Sequence, residues 1–550
     1  MKALSKIFLL FVAFFVASCA QILAPTGGER DVTPPKLLTS VPENETLKFK
    51  EKAFTLQFDE YFSLDNPNDN VLISPPLKSK PEFKIKGKKL IVEIEDNLKS
   101  NTTYSIIFSD CIRDITEGNK IPMLQYVFST GENLDSAMYK GKLINAENLE
   151  PEKNAFVMLY ADGNDTLPST QKPLYVTKTN DKGEFNFKYL AKSSYYLYAL
   201  QDKNNNLLFD MINEPFAFAN EKIEVFFEDE LEDFKPKTYR MFVHADTVQS
   251  LVRSYAPAKG EHILIFKNPL ENPKFEFFED PKTIERFSVE LNATADTVHF
   301  YDKKTSIDTL MLKIVDMDFV DTLKIVTQQM SAMGRGMRRG SKETNLLNLS
   351  FSNLGELYEK PSLSSASPIG RVDLDEFMLV KENVDTVFVK YNFKDSLNKV
   401  LILDIDLEPK TNYEIIIPDS VFWSASNATN DSIITKFVSK GENDYGSFKA
   451  KLEYTKGESV IVKLLDDKSN AQQINNINSS ISIDYLNLKT GTYTLEFFID
   501  SNGNNKWDTG NFRERKQAEL KFRFDKKIEI KGGWDIEEEI DVDKLIMEFE

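Results

Sequence analysis

The chain has 550 residues, a formal net charge of −18, 41% hydrophobic residues and 12% aromatic residues. This length and apolar content suffice for several folded domains and exclude a disordered stalk. The acidic balance argues against a nucleic-acid partner, because binding to a phosphate backbone needs a basic surface. Phe (41) and Tyr (20) far outnumber Trp (3), and Phe and Tyr favour half-buried strands, so we expect a mainly β protein.

The first residues are typical of an export signal. Lys2 and Lys6 flank the start of an apolar run over 7–17, which has the length of a signal-peptide core and is short for a membrane span. The run ends in Val16-Ala17-Ser18-Cys19, which resembles the lipobox of bacterial lipoproteins. The resemblance implies a signal peptide over 1–18, cleavage before Cys19, and a lipid such as palmitate on that residue. The alternative is an ordinary signal peptide with a chance cysteine.

The rest of the chain alternates between short apolar patterns and turns. Alternation with a period of two, which buries one face of a strand, occurs at 54–58 and 401–405 and in part of 386–391. Turn sequences rich in Asn, Asp, Pro and Gly occur at 66–69, 180–183 and 409–412. Many short strands at this spacing predict tandem β-sandwiches with little helix. Short helices are expected only at 356–360 and in the acidic tail.

An internal repeat organises the chain. Four residues of the first block recur 309 residues later: Leu98, Tyr104, Asp110 and Phe128 as Leu407, Tyr413, Asp419 and Phe437. Six residues of a second block recur 298 residues later: Phe185, Phe187, Leu190, Tyr195, Leu197 and Asp202 as Ile483, Tyr485, Leu488, Tyr493, Leu495 and Asp500. The two offsets differ, so we expect an insertion in the first copy between 131 and 185.

Two resemblances follow from motifs in these blocks. The motifs Asp31-Val32-Thr33-Pro34-Pro35, Ser40-Val41-Pro42-Glu43-Asn44, Asn101-Thr102-Thr103-Tyr104 and Phe128-Ser129-Thr130 resemble the bacterial Ig-like domain of S-layer and envelope proteins. The segment 180–185, with Leu190 and the aromatic run 195–198, is similar to the transthyretin-like domains of carboxypeptidase regulatory regions. The whole order resembles Ig-like lipoproteins of Bacteroidota, which implies envelope binding or scaffolding and no common catalysis.

The predicted domains follow from the repeat and the resemblances. A tether over 19–35 follows the signal peptide, because this stretch is rich in Gly, Pro and Thr and has no apolar period. The first pair of domains is an Ig-like domain over 36–133 and a transthyretin-like domain over 134–229. A β-rich middle domain over 230–345, which contains a basic loop, follows. The chain then has a second Ig-like domain over 346–443, a second transthyretin-like domain over 444–532 and an acidic tail over 533–550. We call each Ig-like domain and the transthyretin-like domain that follows it the first pair and the second pair.

The clearest chemical motif occurs twice, at one register in both transthyretin-like domains. Side chains bearing oxygen recur at positions 1, 3, 5 and 9 of each loop: Asp202, Asn204, Asn206 and Asp210, and Asp500, Asn502, Asn504 and Asp508. This is the early spacing of a calcium loop, but the acid of position 12 is replaced by Asn213 and Asn511. Glu214 follows one residue late. The competing interpretation is a hairpin turn in which Asp and Asn cap backbone amides.

Other candidate sites are weaker. The three histidines, His244, His262 and His299, have no zinc-site spacing, and no nucleophile or phosphate-loop motif is present, so we predict a protein that is not an enzyme. With Cys19 lipidated, Cys111 is expected to be a lone buried thiol.

Two functions compete. In the first, the chain is a non-catalytic scaffold or adaptor that is anchored to the outer membrane by its lipid and binds a protein of the envelope. In the second, it is a surface-exposed module that binds glycans or another ligand. Surface lipoproteins of Bacteroidota usually carry acids close behind the lipidated cysteine, whereas the first acid here is Glu29. The sequence therefore favours the periplasmic face.

Overall fold

The computed structural model describes residues 31–244, 248–257, 260–278, 281–292, 294–303, 309–326, 346–373, 378–382, 384–424 and 428–549. Over these residues the chain is mainly β, built from packed and mostly antiparallel sheets with three short α-helices. It forms two compact units, the first comprising residues up to Asn145 with Glu150–Met241 and the second comprising Ala146–Leu149 with Phe242–Glu550. The predicted fold class, tandem β-sandwiches with little helix, is confirmed.

The first Ig-like domain is a sandwich of a four-stranded and a three-stranded sheet, in the orders β1-β2-β6-β5 and β4-β7-β9. Its elements are β1 (Leu37–Val41), β2 (Ala53–Phe58), β3 (Phe62–Leu64), α1 (Pro67–Asn70), β4 (Val71–Ser74), β5 (Glu82–Lys86), β6 (Lys89–Glu93), β7 (Thr103–Phe108), β8 (Ile112–Asp114) and β9 (Leu124–Ser129). Alternate residues of these strands point inward, and Phe54, Leu56 and Phe58 of β2 are fully or almost fully buried between the two sheets.

The next domain, for which the predicted name of first transthyretin-like domain is kept as a label, has one continuous sheet path in the order β12-β11-β14-β15-β17-β10-β13. Its elements are β10 (Ala137–Asn145), β11 (Phe156–Tyr160), α2 (Leu167–Thr170), β12 (Tyr175–Lys178), β13 (Glu184–Leu190), β14 (Ser194–Leu200), β15 (Pro215–Phe218), β16 (Ile223–Glu224) and β17 (Lys237–Val243). The predicted turn at 180–183 joins β12 to β13. Gly183 has a φ of +74°, and a Cβ there would lie 2.3 Å from the carbonyl oxygen of Leu143, so only glycine fits.

The middle domain is a sandwich of two sheets, β18-β19-β22-β21 and β20-β23-β24. Its strands are β18 (Leu251–Tyr255), β19 (Glu261–Phe266), β20 (Lys274–Phe277), β21 (Phe287–Leu291), β22 (Thr297–Asp302), β23 (Thr309–Asp316) and β24 (Phe319–Val326). Leu264, Phe300 and Leu312 are fully buried at its centre. The predicted basic loop, around 330–342, lies outside the described residues.

The second Ig-like domain repeats the sandwich, with sheets β25-β26-β31-β30 and β29-β28-β32-β34. Its strands are β25 (Leu349–Ser352), β26 (Ser362–Ser365), β27 (Ile369–Val372), β28 (Met378–Lys381), β29 (Asp385–Phe388), β30 (Lys390–Phe393), β31 (Val400–Asp404), β32 (Asn412–Ile417), β33 (Phe422–Ser424) and β34 (Ile433–Val438). The partial alternation over 386–391 belongs to two strands, because the chain leaves one sheet after β29 and joins the other at β30. The helix predicted over 356–360 is also wrong, since these residues form a bent turn.

The second transthyretin-like domain has the sheets β38-β35-β42 and β37-β36-β39-β40. Its elements are β35 (Tyr445–Glu453), β36 (Val460–Leu465), β37 (Ala471–Ile477), β38 (Ile481–Lys489), β39 (Gly491–Ile499), β40 (Lys521–Arg523), β41 (Ile528–Ile530), β42 (Asp535–Asp541) and α3 (Val542–Phe549). The acidic tail is therefore part of the fold: β42 runs parallel to β35, and Ile540, Val542 and Ile546 are buried in the core. The predicted short helix in this tail is confirmed as α3.

The last strand of each transthyretin-like domain differs from the sequence prediction. β17 pairs in parallel with β10, as β42 pairs in parallel with β35. Residues 237–243, which the predicted boundary at 229 assigns to the middle domain, thus lie in the sheet of the first transthyretin-like domain. In both copies the closing strand returns to the first strand of its domain after most of the domain has been formed, which a local pattern does not reveal.

The repeat is visible in the geometry. The rings of Tyr104 and Phe128 stack with centroids 5.4 Å apart, and those of Tyr413 and Phe437 stack at 5.5 Å. The Tyr104 hydroxyl accepts a hydrogen bond from the backbone of Lys99 at 2.9 Å, and the Tyr413 hydroxyl accepts one from Glu408 at 2.9 Å. The two domains therefore share this stacked pair, and the strand order β4-β7-β9 recurs as β28-β32-β34 with β29 added at the edge.

The strand registers also divide the predicted insertion into two parts. Tyr139 opposite Phe187 corresponds to Phe448 opposite Tyr485, so the offset is still 309 in β10. Val157 opposite Ala199 corresponds to Val462 opposite Phe497, so the offset has fallen to 305 in β11. It reaches 298 by β12, and the helical turn α2 lies in this second insertion.

Candidate functional site

The first Asp/Asn loop connects β14 to β15. The carboxylate of Asp202 accepts hydrogen bonds from the backbone N–H groups of Asn204 (3.1 Å) and Leu207 (2.7 Å). The side-chain amides of Asn204 and Asn206 donate to the two carboxylate oxygens of Asp210, at 3.1 and 2.7 Å. The four predicted residues are thus brought together in one compact turn.

The second loop, between β39 and β40, has the same arrangement. Asp500 accepts from the backbone N–H groups of Gly503 and Asn505, each at 2.9 Å. The amides of Asn502 and Asn504 both donate to Asp508, the latter at 2.9 Å. The structure therefore places all eight predicted residues in two equivalent clusters.

Each loop contains a buried glutamate whose role the sequence motif did not reveal. Glu214 is fully buried and accepts from the backbone N–H groups of Lys203 at 2.9 Å and Met211 at 3.2 Å. Glu519 accepts from Ser501 at 2.8 Å and Asp508 at 3.1 Å. Burial raises the pKa of Glu519, and these two amide hydrogen bonds oppose the increase.

The second glutamate was missed because the two loops differ in length. Glu214 lies 12 residues after Asp202, whereas Glu519 lies 19 residues after Asp500. At the spacing of Glu214 the second loop has Phe512. Position 12 of the calcium loop is Asn511, whose side chain accepts a hydrogen bond from the backbone N–H of Glu514 at 3.3 Å. The signal that identifies Glu519 is an acid just before the next strand in both copies.

The backbone of the loops has matching left-handed residues. Asn205 and Gly503 have φ values of 56° and 73°, and Leu207 and Asn505 have φ values of 62° and 59°. Glycine and asparagine adopt this conformation readily, whereas leucine does so at a cost. The two loops therefore have the same backbone conformation, even at Leu207, where leucine adopts a left-handed φ at a cost.

The chemistry of the two loops fits two interpretations. Carboxylate and amide oxygens are the ligands that calcium prefers, and each loop with its glutamate supplies five such side chains. In the observed arrangement, however, the asparagine amides present N–H groups to Asp210 and Asp508, and both glutamates are occupied by backbone amides. Over the described part of the chain, no group of three or more His, Cys, Asp and Glu side chains is placed to hold a metal ion. Calcium binding stays a prediction. The alternative is a self-contained turn, which is held by its own hydrogen bonds without a metal ion.

The cysteines and histidines that the sequence singled out lie outside the two loops. Cys19 lies outside the described residues. Cys111 is fully buried, and burial raises the pKa of its thiol to about 11, so it is the inert, core-packed thiol that was predicted. His262 bonds Ser254 across 2.8 Å, between neighbouring strands of the middle domain. In the described ranges, no helix has the length and apolar character needed to cross a bilayer.

Comparison with known proteins identifies one domain. Residues 31–130 match the family model of the bacterial Ig-like domain. No curated protein matches the chain. The chain contains a bacterial Ig-like domain at its described N-terminal end, in agreement with the motifs of that region.

Several solved structures are similar to the chain at low sequence identity. The surface layer protein SbsC (domains 1–6) is 11% identical with a TM-score of 0.14, and the match covers 84% of this chain and 64% of that one. The TIE protein of Bacillus anthracis is 11% identical with a TM-score of 0.14, over 94% and 76% of the two chains. BcpA, the major pilin subunit of Bacillus cereus, is 10% identical with a TM-score of 0.13, over 74% and 99%. The chain thus spans about two thirds of the SbsC structure, and TM-scores this low carry no functional argument.

Proposed function

We propose that this protein is a non-catalytic lipoprotein of the bacterial cell envelope, of the Ig-like kind found in Bacteroidota. It acts as a scaffold or adaptor that binds another envelope component through its tandem β-sandwiches. The observation that carries the proposal is the position of the bacterial Ig-like domain, whose match begins at Asp31, only 12 residues after the lipobox cysteine, Cys19.

The short distance between lipid and domain supports an anchoring role. The side-chain amide of Asn119 donates to the backbone oxygens of Asp31 (3.0 Å) and Thr33 (3.3 Å). The backbone N–H of Lys36 donates to Asp59 at 2.8 Å, which fixes the start of β1. Because the chain is bound to the domain from Asp31 onward, 11 residues at most separate it from Cys19. These span roughly 40 Å when fully extended, so the first Ig-like domain stays close to the membrane.

Polar contacts between successive domains of the second unit support a scaffolding role. The ammonium of Lys399, in the second Ig-like domain, donates to Glu290 at 2.8 Å and to the hydroxyl of Tyr301 at 3.0 Å, both in the middle domain. The hydroxyl of Ser367 donates to Glu261 at 2.5 Å across the same junction. Hydrogen bonds to charged groups are stronger than neutral ones, so these contacts tie the second Ig-like domain to the middle domain.

Membrane attachment is tested by fractionation of cells. The wild-type protein is expected in the membrane fraction, and Cys19→Ala is expected in the soluble fraction because it removes the lipid acceptor. Cys111→Ala is the matched control, since it removes a cysteine and leaves the lipobox intact. Retention of Cys19→Ala with the membrane would contradict the lipid anchor.

The side of the membrane separates the scaffold from its alternative. We place the protein on the periplasmic face, because residues 20–28 contain no acid. Protease added to intact cells is then expected to spare the protein and to digest it once the outer membrane is permeabilised. Digestion in intact cells would favour the surface module that binds glycans or another ligand. Cross-linking in cells and purification of the tagged protein would then identify the envelope component that it binds.

A further inference from the structure

In the first unit, the transthyretin-like domain covers one face of the Ig-like domain. We call this the outer face: the side of the sheet β4-β7-β9 that points away from its own core. Strands β12 and β13 pack on β4 and β7, and the backbone N–H of Val176 donates to the hydroxyl of Ser74 at 3.0 Å. The outer-face residues are buried as a result, each at most 7% exposed: Leu72, Ser74, Ser105, Ile107, Val127 and Ser129.

In the second unit, the equivalent face is bare. The strand registers align Ile107 with Ile416, Ser105 with Glu414, and β9 with β34. Ile434 and Val438 are 62% and 58% exposed on this face. Ile434 lies in one row with Ile416 and Met378. The next row holds Val380 and the ion pair of Lys436 with Glu414 at 3.5 Å. Met378, Val380 and Ile416 are half-buried, so this outer face is a largely apolar surface that is open to solvent along β34 and carries one neutralised ion pair.

The strand that covers the face in the first pair is also bare in the second pair. Val176 of β12 is 3% exposed, and its equivalent by register is Ile474 of β37, which is 56% exposed. All of β37, Ala471–Ile477, lacks charged residues. The second pair therefore carries both halves of a contact that the first pair makes, and neither half is occupied.

A separate contact keeps the two halves apart within one chain. Glu356, between β25 and β26, accepts hydrogen bonds from the ammonium of Lys440 at 2.9 Å and the hydroxyl of Tyr445 at 2.8 Å. Lys489 lies 3.4 Å from the same carboxylate. We call these four residues the Glu356 clamp. It joins the second Ig-like domain to the second transthyretin-like domain through a different surface, so closing the pair as in the first unit would break it.

We propose that the outer face of the second Ig-like domain binds strand β37 of a second copy of this chain, and that two copies do so reciprocally. The first pair supplies the template for the contact: an edge strand of a transthyretin-like domain laid on the outer face of an Ig-like domain. The uncharged β37 and the self-neutralised face allow two chains of net charge −18 to approach there without repulsion. Reciprocal exchange buries both bare surfaces twice in a closed, two-fold dimer. This inference goes beyond the proposed function, since it gives the scaffold a mode of self-assembly.

Disulfide trapping tests the contact directly. The equivalents of Ser74 and Val176 are Val380 and Ile474, so cysteines at these two positions come within bonding reach if the template holds. Two variants of residues 20–550, Val380→Cys and Ile474→Cys, are mixed and oxidised; Cys111 is fully buried and does not interfere. A covalent heterodimer bridged between residues 380 and 474 is expected. Its absence overturns the proposal, and so does a double-cysteine chain that cross-links only within itself, which would show closure of one chain.

Analytical ultracentrifugation of residues 20–550 gives an independent test, because it measures the dissociation constant of the dimer. Ile434→Asp and Ile474→Asp are each expected to weaken dimerisation at least about tenfold, because each places an unpaired carboxylate in an apolar contact. Leu486→Asp is the matched control: Leu486 is 67% exposed on β38, and its equivalent, Lys188 of β13, stays exposed in the first pair. A chain that is monomeric at every concentration, or a control that weakens the dimer equally, would overturn the proposal.

Discussion

The two Ig-like domains keep the same stacked tyrosine and phenylalanine in their interiors and have different exteriors. Tyr104 and Tyr413 stack on their phenylalanines in the same way, but Val127, fully buried on the outer face of the first domain, aligns with the exposed Lys436 of the second. Ser105 likewise aligns with Glu414. The stacked pair inside each sandwich is thus retained, whereas the residues that decide which neighbour covers the sheet differ.

The two pairs are also joined differently. In the first pair the hydroxyl of Tyr189 donates to Glu45 at 2.6 Å at the exposed margin of a large contact. In the second pair the two domains are joined by the Glu356 clamp, whose carboxylate is 12% exposed. One junction depends on surface area and the other on a few charged hydrogen bonds, so the two should respond differently to mutation and to pH.

The largest effect is expected from exchanging the residues that differ on the outer face. Val127→Lys places an unpaired ammonium in a fully buried position and should destabilise the first unit by at least about 3 kcal/mol. The reverse exchange, Lys436→Val, should change stability by no more than about 0.5 kcal/mol, because the site is exposed. Calorimetry should show the transition of the first unit lowered by roughly 6 °C or more in Val127→Lys only. Equal shifts in the two variants would contradict the difference between the faces.

Calcium tests whether the Asp/Asn loops of the two pairs are equivalent in chemistry. If they bind the ion, calcium at a hundred times its dissociation constant adds about 2.7 kcal/mol to the domain that carries each loop. Asp210→Asn and Asp508→Asn should each remove the gain from one domain and leave the other unchanged. The same melting temperatures in calcium and in chelator would decide for the self-contained turn in both copies.

Removal of the Glu356 clamp should have a moderate effect on the second pair alone. Glu356→Gln keeps the shape and loses the charge, at an expected cost of about 1–3 kcal/mol to the junction. The aligned residue in the first pair is Leu47, which is exposed, so Leu47→Gln is the matched control and should be silent. Limited proteolysis between the two domains should accelerate in Glu356→Gln only.

The clamp also predicts a pH dependence. Burial acts to raise the pKa of Glu356, but the hydrogen bonds from Lys440 and Tyr445 outweigh it and hold the pKa below the ordinary value of 4.5. A carboxylate with a lowered pKa stabilises the folded state above its unfolded pKa, and this contribution is lost as the pH falls through the folded value. The second pair should therefore loosen below about pH 4.5 in the wild type, and Glu356→Gln should lack this step.

The smallest effect is expected in the loop backbone. Asn505 adopts a left-handed conformation that asparagine tolerates, so Asn505→Leu should cost the second transthyretin-like domain about 1 kcal/mol. The first loop already carries leucine at the equivalent position, Leu207, so Leu207→Asn should relieve strain there. Melting temperatures that move in the same direction in both variants would contradict the equivalence of the loops.

Much of the fold could be predicted because short local patterns of apolar and polar residues indicate its strands. The alternation at 54–58 and 401–405 predicts β2 and β31, and the shared offsets predict the repeated cores. The closing strands β17 and β42 could not be predicted, because each pairs with a strand about 90 residues earlier and no local pattern reports that contact. In the candidate site, the eight Asp and Asn residues lie together in two loops, and their binding of calcium stays a prediction. Glu519 was missed because the second loop is longer. The sequence already contains the difference between the two outer faces, since Val127 aligns with Lys436. Its consequence for packing could not be predicted, because the sequence alone does not show that these residues lie on the outer face of a sheet.

The central claim, that the same face is covered in the first pair and bare in the second, is tested most directly by thiol labelling at aligned positions. Val127→Cys and Lys436→Cys are compared in residues 20–550 at a concentration low enough to keep the chain monomeric. The account predicts that the cysteine at 436 reacts with a maleimide as fast as a thiol in a short peptide, while the cysteine at 127 reacts more than about a thousandfold slower, because reaction requires opening of the folded unit. Comparable rates at the two positions would contradict it.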